Sequence, residues 1–369
     1  MKYYLISGEA SGDLHGSRLI REIRRLDPEA QIRCWGGDLM QSEGAELVVH
    51  YKERAYMGFL EVALHLRKIL GYMKQCKADL LAWKPDVVVF IDYPGFNLPV
   101  AKFAKQQGFR TVFYISPQVW AWKEKRVRTI KQVIDRMLVI LPFEKDFYQK
   151  WNYPVEYVGH PLVQIIREFK ETHPELKPGA QPTIALLPGS RLQEIRKKLP
   201  VMLETADRFP TYRFLVAQAP STDTEIYTSL IGNRTNVELV ADKTYRLLMR
   251  SHAALVTSGT ATLETALFGI PEVVCYKGSA LSYAIAKRVI KVKYISLVNL
   301  ILDKPAVTEL IQDALTADNL ERELKLLLTD ETKKQQLASD YKNLWELLAK
   351  GGDASKTAAE QVVAFTGER

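Results

Sequence analysis

Cysteines are few in this sequence, and long apolar runs are missing. The three cysteines, Cys34, Cys76 and Cys275, are scattered without metal-ligand spacing. This pattern argues against a disulfide framework or a structural zinc site, and it suits a reducing cytoplasm. No run approaches the length of a membrane-spanning helix, and the N-terminal stretch MKYYLISGEASGD lacks the long apolar region of a signal peptide. We therefore expect a cytoplasmic globular protein whose cysteines are buried.

What the sequence does contain is enough apolar residues for two cores and an excess of positive charge. Its 369 residues are too many for one ordinary domain, and 47% hydrophobic with 25% charged residues is typical of a soluble globular protein. The formal net charge is +8. A basic proteome would explain this charge, and so would attraction to phosphorylated or membrane-surface partners.

Short apolar runs alternate with amphipathic stretches along most of the chain. This alternation predicts right-handed crossovers and parallel sheets. The predicted strands are residues 2–7, 31–35, 86–91, 111–115 and 136–140, followed by 183–187, 212–217, 237–240, 253–257 and 272–276. The predicted helices include residues 14–26, 58–83 and 99–107, and the chain is expected to be helical from residue 318 onward.

A proline-rich stretch divides the two series of strands. Residues 172–182, THPELKPGAQP, hold three prolines and a glycine, which is typical of a linker. We predict an α/β protein with two doubly wound Rossmann-like domains, residues 1–172 and 183–345, joined by a linker at 173–182 and facing a cleft. The segment 346–369 is expected to pack on the first domain or on a partner chain. Ligands of such sheets bind beyond the carboxyl ends of the strands.

An acid follows a buried strand in the stretch VFIDYPGFNLP. Asp92 comes directly after the apolar residues 86–91 and before Pro94. A charge there costs free energy unless it is hydrogen-bonded or used. An Asx-turn or a helix cap before the proline is one interpretation, and a catalytic acid at a strand end is the other. The turn GEASGD at 8–13 follows the first strand and offers free N–H groups, although alone it is a weak signal.

Two turns of the second predicted domain combine glycine with hydroxyl-bearing residues where a strand leads into a helix. Ser190 is predicted to cap one helix, with Gln193 completing a capping box. Arg191 would then lie in the first helical turn, where the dipole disfavours a cation, and this suggests a nearby anion. The second turn, SGTATLE at 258–264, offers N–H groups, hydroxyls and a carboxylate for phosphate and ribose. Together the turns predict a nucleotide-diphosphate site.

These motifs resemble those of the lipid A disaccharide synthase family, bacterial glycosyltransferases of the two-Rossmann GT-B type. The matching stretches appear in family order from residue 8 to residue 312. They are GEASGD at 8–13, MGFLEV at 57–62, FIDYPGFN at 90–97, YISPQVWAW at 114–122, LPFEKDFY at 141–148, VGHPL at 158–162, LLPGSR at 186–191, SGTATLE at 258–264, KYISLVNLIL at 293–302 and ELIQ at 309–312.

The resemblance implies a reaction. A UDP-linked 2,3-diacylglucosamine donates its sugar to the 6-hydroxyl of 2,3-diacylglucosamine 1-phosphate, giving a β-1,6 disaccharide and UDP with inversion at the donor carbon. No metal and no cofactor are expected, and a homodimer is allowed. A UDP-sugar epimerase on the same fold is the alternative. A non-catalytic RNA-binding protein is a second alternative, although nucleic acid is not the expected partner.

The resemblance also assigns roles to residues. Asp92 occupies the position of the general base, with Glu9, Asp13 and His15 as rivals. The family often has a second aspartate where this chain has Gly95. It also commonly has proline at Val298, so the loop around Asn299 differs. The predicted donor site comprises Gly189, Ser190, Arg191, Ser258, Gly259, Thr260 and Glu264, and the resemblance adds Asn299 and Glu309.

Two segments are candidates for a membrane surface. The helical stretch 57–73 is very apolar, so it is either buried on two sides or, as in the family, exposed toward acyl chains. Its candidate residues are Leu60, Val62, Leu66, Ile69 and Leu70. The second segment mixes aromatic and basic residues, which fits nucleic acid, a solvated helix face or a membrane interface. Its candidates are Trp120, Trp122, Lys123 and Arg126. With a lipid substrate we expect peripheral attachment to the inner membrane.

We assign no catalytic role to the histidine of the VGHP stretch. His160 precedes Pro161 at the point where, in the resembling family, the chain crosses between domains. We interpret it as structural or hinge-related.

Overall fold

The computed structural model describes residues 1–54, 66–220, 222–241, 243–279, 283 and 292–368. These residues form two compact units, Met1–Pro161 with Leu348–Arg369, and Leu162–Leu347. The first crossing between units thus comes before the predicted linker at 173–182. The physical reason is the helix Pro161–Thr172, whose Phe169 packs edge-on against Tyr245 and Phe268 of the second unit.

The first unit contains a parallel sheet of seven strands in the order β3-β2-β1-β4-β5-β6-β7. The predicted strands of this half are confirmed, while β3 and the two-residue β7 were missed. With two residues, β7 is too short to show an apolar or alternating pattern. β3 has polar residues, Glu46 and His50, at both ends, which leaves only three apolar residues in a row. The strands are β1 Lys2–Ile6, β2 Gln31–Gly36, β3 Glu46–His50, β4 Val87–Ile91, β5 Arg110–Tyr114, β6 Arg136–Val139 and β7 Glu156–Tyr157.

Helices cover both faces of this sheet, so its central strand β4 is apolar on every side chain. On β4, Val88 and Phe90 belong to one core cluster, and Val87, Val89 and Ile91 belong to the other. This double burial explains why the strand reads as a continuous apolar run. The described helices of the unit are Ala10–Leu26, Asp38–Ser42, Leu66–Trp83, Pro94–Gln106, Val119–Trp122, Val127–Val133, Glu144–Gln149 and Ala354–Gly367, with 3-10 turns at Tyr51–Arg54 and Glu124–Arg126.

The C-terminal helix packs on the first unit. Ala358, Ala359 and Val362 join the core cluster that also contains Leu19 and Ile23 of the first helix. Arg110 at the start of β5 donates hydrogen bonds to the main-chain carbonyls of Phe365 and Thr366 at 2.8 and 2.6 Å. The small residues of this helix let it pack closely on the core of the unit, and the hydrogen bonds from Arg110 fix its C-terminal end. Residues Leu348–Arg369 thus belong to the first unit of their own chain.

The second unit contains a parallel sheet of six strands in the order β10-β9-β8-β11-β12-β13. Its five predicted strands are confirmed, and the short β13 was missed. The strands are β8 Thr183–Leu187, β9 Arg213–Gln218, β10 Val237–Ala241, β11 Ala253–Thr257, β12 Glu272–Tyr276 and β13 Thr308–Ile311. The described helices are Pro161–Thr172, Leu192–Asp207, Thr224–Ile231, Thr244–Met249, Thr260–Phe268, Leu297–Leu302, Ala317–Thr329 and Glu331–Ala349, with a 3-10 turn at Gln312–Ala314.

Within the described ranges, no helix combines the length and the apolar character that a crossing of the bilayer requires.

Candidate functional site

Asp92 follows the last residue of β4. Its main-chain N–H donates to the carbonyl of Tyr114 at 3.1 Å, so the ladder with β5 extends to it. Asp92 and Tyr93 then adopt left-handed conformations, with φ of 45° and 50°. The helix Pro94–Gln106 begins next, and its N-cap, Tyr93, makes no side-chain capping bond. Two successive left-handed residues other than glycine are costly, and they project the Asp92 side chain beyond the strand end.

The carboxyl group of Asp92 reaches solvent, yet protein atoms closely surround it. This burial raises the pKa of Asp92 to about 6. A hydrogen bond from the main chain of Tyr93 opposes the shift, and the negative charge of Glu9 adds to it. A carboxylate with such a pKa is ionised at neutral pH but accepts a proton more readily than an ordinary aspartate. Asp92 therefore has the properties of a general base.

The side-chain amide of Asn97, which sequence reasoning missed, holds the turn in place. Asn97 is fully buried. Its Nδ2 donates to the carbonyls of Ile6 and Ile91, both at 3.3 Å, and to that of Asp92 at 2.6 Å. One amide thus ties the ends of β1 and β4 together. A polar residue between the buried Phe96 and Leu98 was the signal in the sequence that could have revealed it.

The GEASGD turn lies against the Asp92 turn. A Cβ atom at Gly8 would overlap the ring of Tyr93, so glycine is required for this approach. Glu9 is the N-cap residue of the helix Ala10–Leu26 and is partly exposed. The structure therefore brings Glu9 near Asp92, close enough for its charge to affect the pKa of Asp92.

Asp13, the other rival carboxylate, is engaged elsewhere. It is 2% exposed, and its oxygens accept hydrogen bonds from the main-chain N–H groups of Gly37, Leu39 and Met40 at 2.8, 3.1 and 3.1 Å. These are donors at the start of the helix Asp38–Ser42. A carboxylate that accepts three such bonds caps a helix and is poorly available as a base.

Two histidines of the first unit are closely surrounded by protein atoms, His160 being buried and His15 half-buried. Burial lowers the pKa of His15 to about 4 and that of His160 to about 3, and neighbouring cationic or imidazole groups lower both further. Both rings are therefore neutral at physiological pH. The main-chain N–H of His160 donates to the carbonyl of Leu348 at 3.2 Å. His160 thus joins the two stretches of chain at which the units connect.

The second unit has a cavity of about 410 Å³ at the carboxyl ends of β8, β9 and β11. These strands are neighbours in the sheet, so the turns that follow them converge. Residues 187–191, 217–220 and 257–261 line the cavity, together with Glu194, Thr244 and Glu264. Such a strand-end crevice is where nucleotides bind in open α/β sheets.

The first turn of this cavity differs in one detail from the prediction. Ser190 was expected to cap the helix, but Arg191 is the N-cap residue and the helix begins at Leu192. The helix thus begins one residue later than predicted. Gly189 has a φ of 118°, and a side chain there would overlap the carboxylate of Glu194. The exposed guanidinium of Arg191 lies 3.6 Å from Glu194.

The second turn presents a helix N-terminus to the cavity. Gly259, with a φ of 149°, is the N-cap residue of the helix Thr260–Phe268. Ser258 donates its hydroxyl hydrogen bond to the carbonyl of Ile295 at 3.0 Å. Glu264 accepts one from the hydroxyl of Tyr245 at 2.7 Å, and burial raises the pKa of this carboxyl group. The free N–H groups of the helix can bind an anion at this point.

Asn299 and Glu309 support a neighbouring loop. The carboxylate of Glu309 accepts hydrogen bonds from the main chain of Ile295 and Ser296 and from Nδ2 of Asn299, at 2.9–3.2 Å. Asn299 exchanges two bonds of 2.9 Å with the main chain of Val307. Among the described residues, the cavity wall does not include either side chain. Both fix the loop whose Ile295 carbonyl accepts from the hydroxyl of Ser258.

The aromatic and basic segment is partly pinned and partly exposed. Trp120 donates from Nε1 to the carboxylate of Glu144 at 3.3 Å. Glu144, another residue that sequence reasoning missed, is fully buried, which raises its pKa to about 7. Trp122 is 51% exposed, and the ammonium of Lys123 lies 3.9 Å from its ring centroid. Arg126 is half-buried in the following 3-10 turn.

Only part of the predicted apolar helix falls within the described residues. Leu60 and Val62 lie outside them, as does the side chain of Leu66. Leu70 is 55% exposed, while Cys76 and Leu80 of the same helix are fully buried. Ile69 is intermediate. The helix Leu66–Trp83 therefore packs on the core through one face and exposes Leu70 on another.

In the described part of the chain, no three histidine, cysteine, aspartate or glutamate side chains come together as they would around an ion.

Sequence comparison relates the chain to one family along almost its whole length. The family model described as lipid-A-disaccharide synthetase matches residues 3–364. The lipid-A-disaccharide synthase of Geobacter metallireducens is 39% identical over 363 residues, covering 96% of this chain and 94% of that protein. The enzyme of the same name from Nitrosococcus oceani is 37% identical over 370 residues, covering 98% and 95%.

Structural comparison relates the fold to two kinds of enzyme. A UDP-GlcNAc 2-epimerase from Neisseria meningitidis, bound to UDP-GlcNAc, has a TM-score of 0.67 at 14% identity and covers 99% of this chain and 100% of that one. A calicheamicin glycosyltransferase has a TM-score of 0.61 at 15% identity, covering 100% and 98%. At such identities the likeness concerns the fold alone, two Rossmann-like units of the GT-B type.

Proposed function

This chain belongs to the lipid-A-disaccharide synthase family, and on that premise we propose how its residues carry out glycosyl transfer. The chain is a glycosyltransferase of lipid A disaccharide synthesis. We propose that the donor is UDP-2,3-diacylglucosamine and that the acceptor is 2,3-diacylglucosamine 1-phosphate. The observation that carries the proposal is the pair of anion-binding turns around the cavity of the second unit, within a chain that matches the family from residue 3 to residue 364.

The donor's diphosphate binds in this cavity. The helix N-terminus at Gly259 and Thr260 supplies N–H donors, and Arg191 at the opposite turn supplies a guanidinium that can reach an anion. The carboxylate of Glu264 at the same wall can accept from ribose hydroxyls. A hydrogen bond that involves a charged group contributes about 1.5–3 kcal/mol. Calorimetry should therefore show UDP binding to the wild-type protein that weakens about tenfold or more in Arg191→Ala.

The transfer itself proceeds by a single displacement with inversion. The 6-hydroxyl oxygen of the acceptor attacks the anomeric carbon of the donor, and the bond from that carbon to the UDP oxygen breaks as the new one forms. The hydroxyl proton passes to the carboxylate of Asp92, and the UDP oxygen departs with its electron pair. The raised pKa of Asp92, caused by burial, suits proton acceptance near neutral pH.

The experiment that tests this function is mass spectrometry of the products formed from the two diacylated sugars. A disaccharide 1-phosphate and UDP in equal amounts support the proposal, while an epimerised UDP-sugar without disaccharide contradicts it. Base catalysis is typically worth ~10²–10⁴ in rate. Asp92→Asn should therefore lower kcat by about that factor and leave UDP affinity unchanged, because UDP binds to the second unit.

We propose no metal and no cofactor for the reaction. Arg191 and the helix N-terminus at Gly259 would stabilise the leaving diphosphate in the way that a divalent cation does in other transferases. Treatment with EDTA should leave the rate unchanged. A strict requirement for Mg²⁺ would contradict this part of the proposal.

We further propose peripheral attachment to the cytoplasmic face of the inner membrane, where both acylated substrates would lie. The exposed side chains of Leu70 and Trp122, with Lys123 beside the indole, support it. Each lysine or arginine near an anionic surface contributes about 1 kcal/mol. Binding to anionic vesicles should weaken in Leu70→Ser and Trp122→Ser, with UDP affinity as the control. Vesicle binding that does not change in either variant would contradict the assignment of these two residues.

A further inference from the structure

A lysine is buried directly behind the wall of the nucleotide cavity. Lys198 lies on the helix Leu192–Asp207, and its side chain is only 3% exposed. Its ammonium donates a hydrogen bond to the hydroxyl of Thr257 and lies 3.9 Å from the carboxylate of Glu194. Both of these partners line the cavity. Lys198 is therefore separated from the cavity by a single layer of side chains.

The charges around Glu194 do not balance. Arg191 lies 3.6 Å from one of its oxygens and Lys198 lies 3.9 Å from the other, so two cations share one carboxylate. Burial lowers the pKa of Lys198, and the negative charge of Glu194 opposes this shift. Burying an ammonium costs free energy unless it is paired with an anion. Here the carboxylate of Glu194 is shared between Lys198 and Arg191. The cluster carries a net positive charge and would gain from an anion in the cavity.

The contact with Thr257 couples this charge to the turn that binds the anion. Thr257 is the last residue of β11, and Ser258 and the N-cap residue Gly259 follow it. Lys198 fixes the Thr257 side chain at the point where the strand enters this turn. In a site partly shielded from water, a positive charge acts over a longer distance than it does at the surface.

We propose that Lys198 is a positioning residue of this cavity that favours diphosphate binding through its charge and through the position of Thr257. The inference rests on the proposed function, because it requires that the cavity binds a nucleoside diphosphate. It assigns Lys198 to the phosphate end of the ligand, so the residue should distinguish UDP from uridine.

The test compares the two ligands by calorimetry in Lys198→Met, which keeps most of the length of the side chain and removes the charge. UDP affinity should fall about tenfold, equivalent to about 1.4 kcal/mol, and uridine affinity should stay unchanged. Lys198→Arg should recover most of the UDP affinity. Arg196→Met is the matched control, because Arg196 is an exposed cation on the same helix, and its UDP affinity should equal that of the wild type.

Two results for Lys198→Met would overturn the inference. Unchanged UDP affinity in folded Lys198→Met would do so, and so would an equal loss for UDP and uridine, which would indicate a purely structural residue.

If Lys198→Met does not fold, the Arg191→Ala protein decides the question. Because Arg191→Ala retains Lys198, it should still prefer UDP to uridine, and this preference should weaken as salt is added. Loss of the whole preference in Arg191→Ala would refute a role for Lys198. A wild-type protein that does not bind UDP would instead refute the proposed function.

Discussion

The amide of Asn97 donates a 2.6 Å hydrogen bond to the main-chain carbonyl of Asp92. The same nitrogen reaches the carbonyls of Ile6 and Ile91, so it joins two neighbouring strand ends to the left-handed turn. A strained conformation persists only when its surroundings enforce it. Asn97 provides that enforcement from within the helix that the turn begins. The direction in which Asp92 points therefore depends on a residue that does not need to touch the substrate.

Replacing Asn97 with alanine should cost both stability and rate. The change removes the side-chain donor from three main-chain carbonyls, at about 1–3 kcal/mol for a group left unsatisfied, and it releases the Asp92 turn. We expect a lower free energy of unfolding in urea and a lower kcat, with UDP affinity unchanged. Gln106→Ala is the control, because Gln106 is exposed at the end of the same helix. A normal kcat in a folded Asn97→Ala protein would contradict the positioning role.

The sequence permitted the sheets to be predicted because double burial leaves a mark on every residue of a strand. Strands such as Val87–Ile91 are apolar throughout, whereas the edge strand Glu156–Tyr157 is too short to carry a pattern. The glycine-containing turns were also visible, since glycine and hydroxyl residues at strand ends have few other uses.

Buried polar partners could not be predicted in this way. Lys198 stands in the sequence after Arg196 and Lys197, and such a run looks like a solvated helix face. Its ammonium is buried and donates to the hydroxyl of Thr257, which is 59 residues away in the chain. Asp13 was likewise predicted as a candidate base, because the sequence does not show that its hydrogen-bond donors lie after β2. Local patterns indicate which face of a helix is apolar, but they do not identify distant hydrogen-bond partners.

The rate of transfer should depend on pH through Asp92. A general base must be deprotonated, and burial raises the pKa of Asp92 to about 6. We expect kcat/KM to rise as the pH increases through about 6 and then to level off. The residual activity of Asp92→Asn should lack this rise. A wild-type profile that is flat from pH 5 to 8 would contradict the assignment of the base.

The carboxyl group of Asp92 also contributes to stability, and this contribution falls as the pH increases, whereas the rate rises. Because the pKa of Asp92 is higher in the folded state than in the unfolded chain, the folded protein binds the proton more tightly. The contribution of this group to stability is complete below the unfolded pKa and is lost as the pH rises through about 6. Asp92→Asn should therefore show a smaller loss of stability over this range in urea titrations. An identical pH dependence in the two proteins would argue against the raised pKa.

Asp13→Asn should destabilise the first unit. The carboxylate accepts three main-chain hydrogen bonds at the start of the helix Asp38–Ser42, and an amide can accept with only one of its two atoms. We expect the free energy of unfolding to fall by about 1.5–3 kcal/mol, the usual value for hydrogen bonds to a charged group. Asp146→Asn, a change at an exposed carboxylate of the same unit, is the control. A variant with full stability and a large loss of kcat would instead support a catalytic Asp13.

Glu272 provides a test of how this fold tolerates a buried acid. It lies at the start of β12 and is 1% exposed, and neither carboxyl oxygen has a hydrogen-bond partner among the described residues. Burial raises the pKa of Glu272 well above its usual value. The folded state therefore keeps the proton, so the contribution to stability is complete below the unfolded pKa and is lost as the pH rises. Between the unfolded and the folded pKa this loss is about 1.4 kcal/mol per pH unit.

Glu272→Gln removes the titrating group and keeps the shape of the side chain. At pH 5 the variant and the wild type should have similar free energies of unfolding, because the wild-type carboxyl group is neutral in the folded state. At pH 8 the variant should be the more stable protein, because the unfolded wild-type chain gains from ionising Glu272 and the unfolded variant does not. Urea titrations at both pH values measure this difference, with the exposed Glu225→Gln as the control. A Glu272→Gln protein less stable than the wild type at pH 8 would show that the carboxylate is ionised and paired in the folded state.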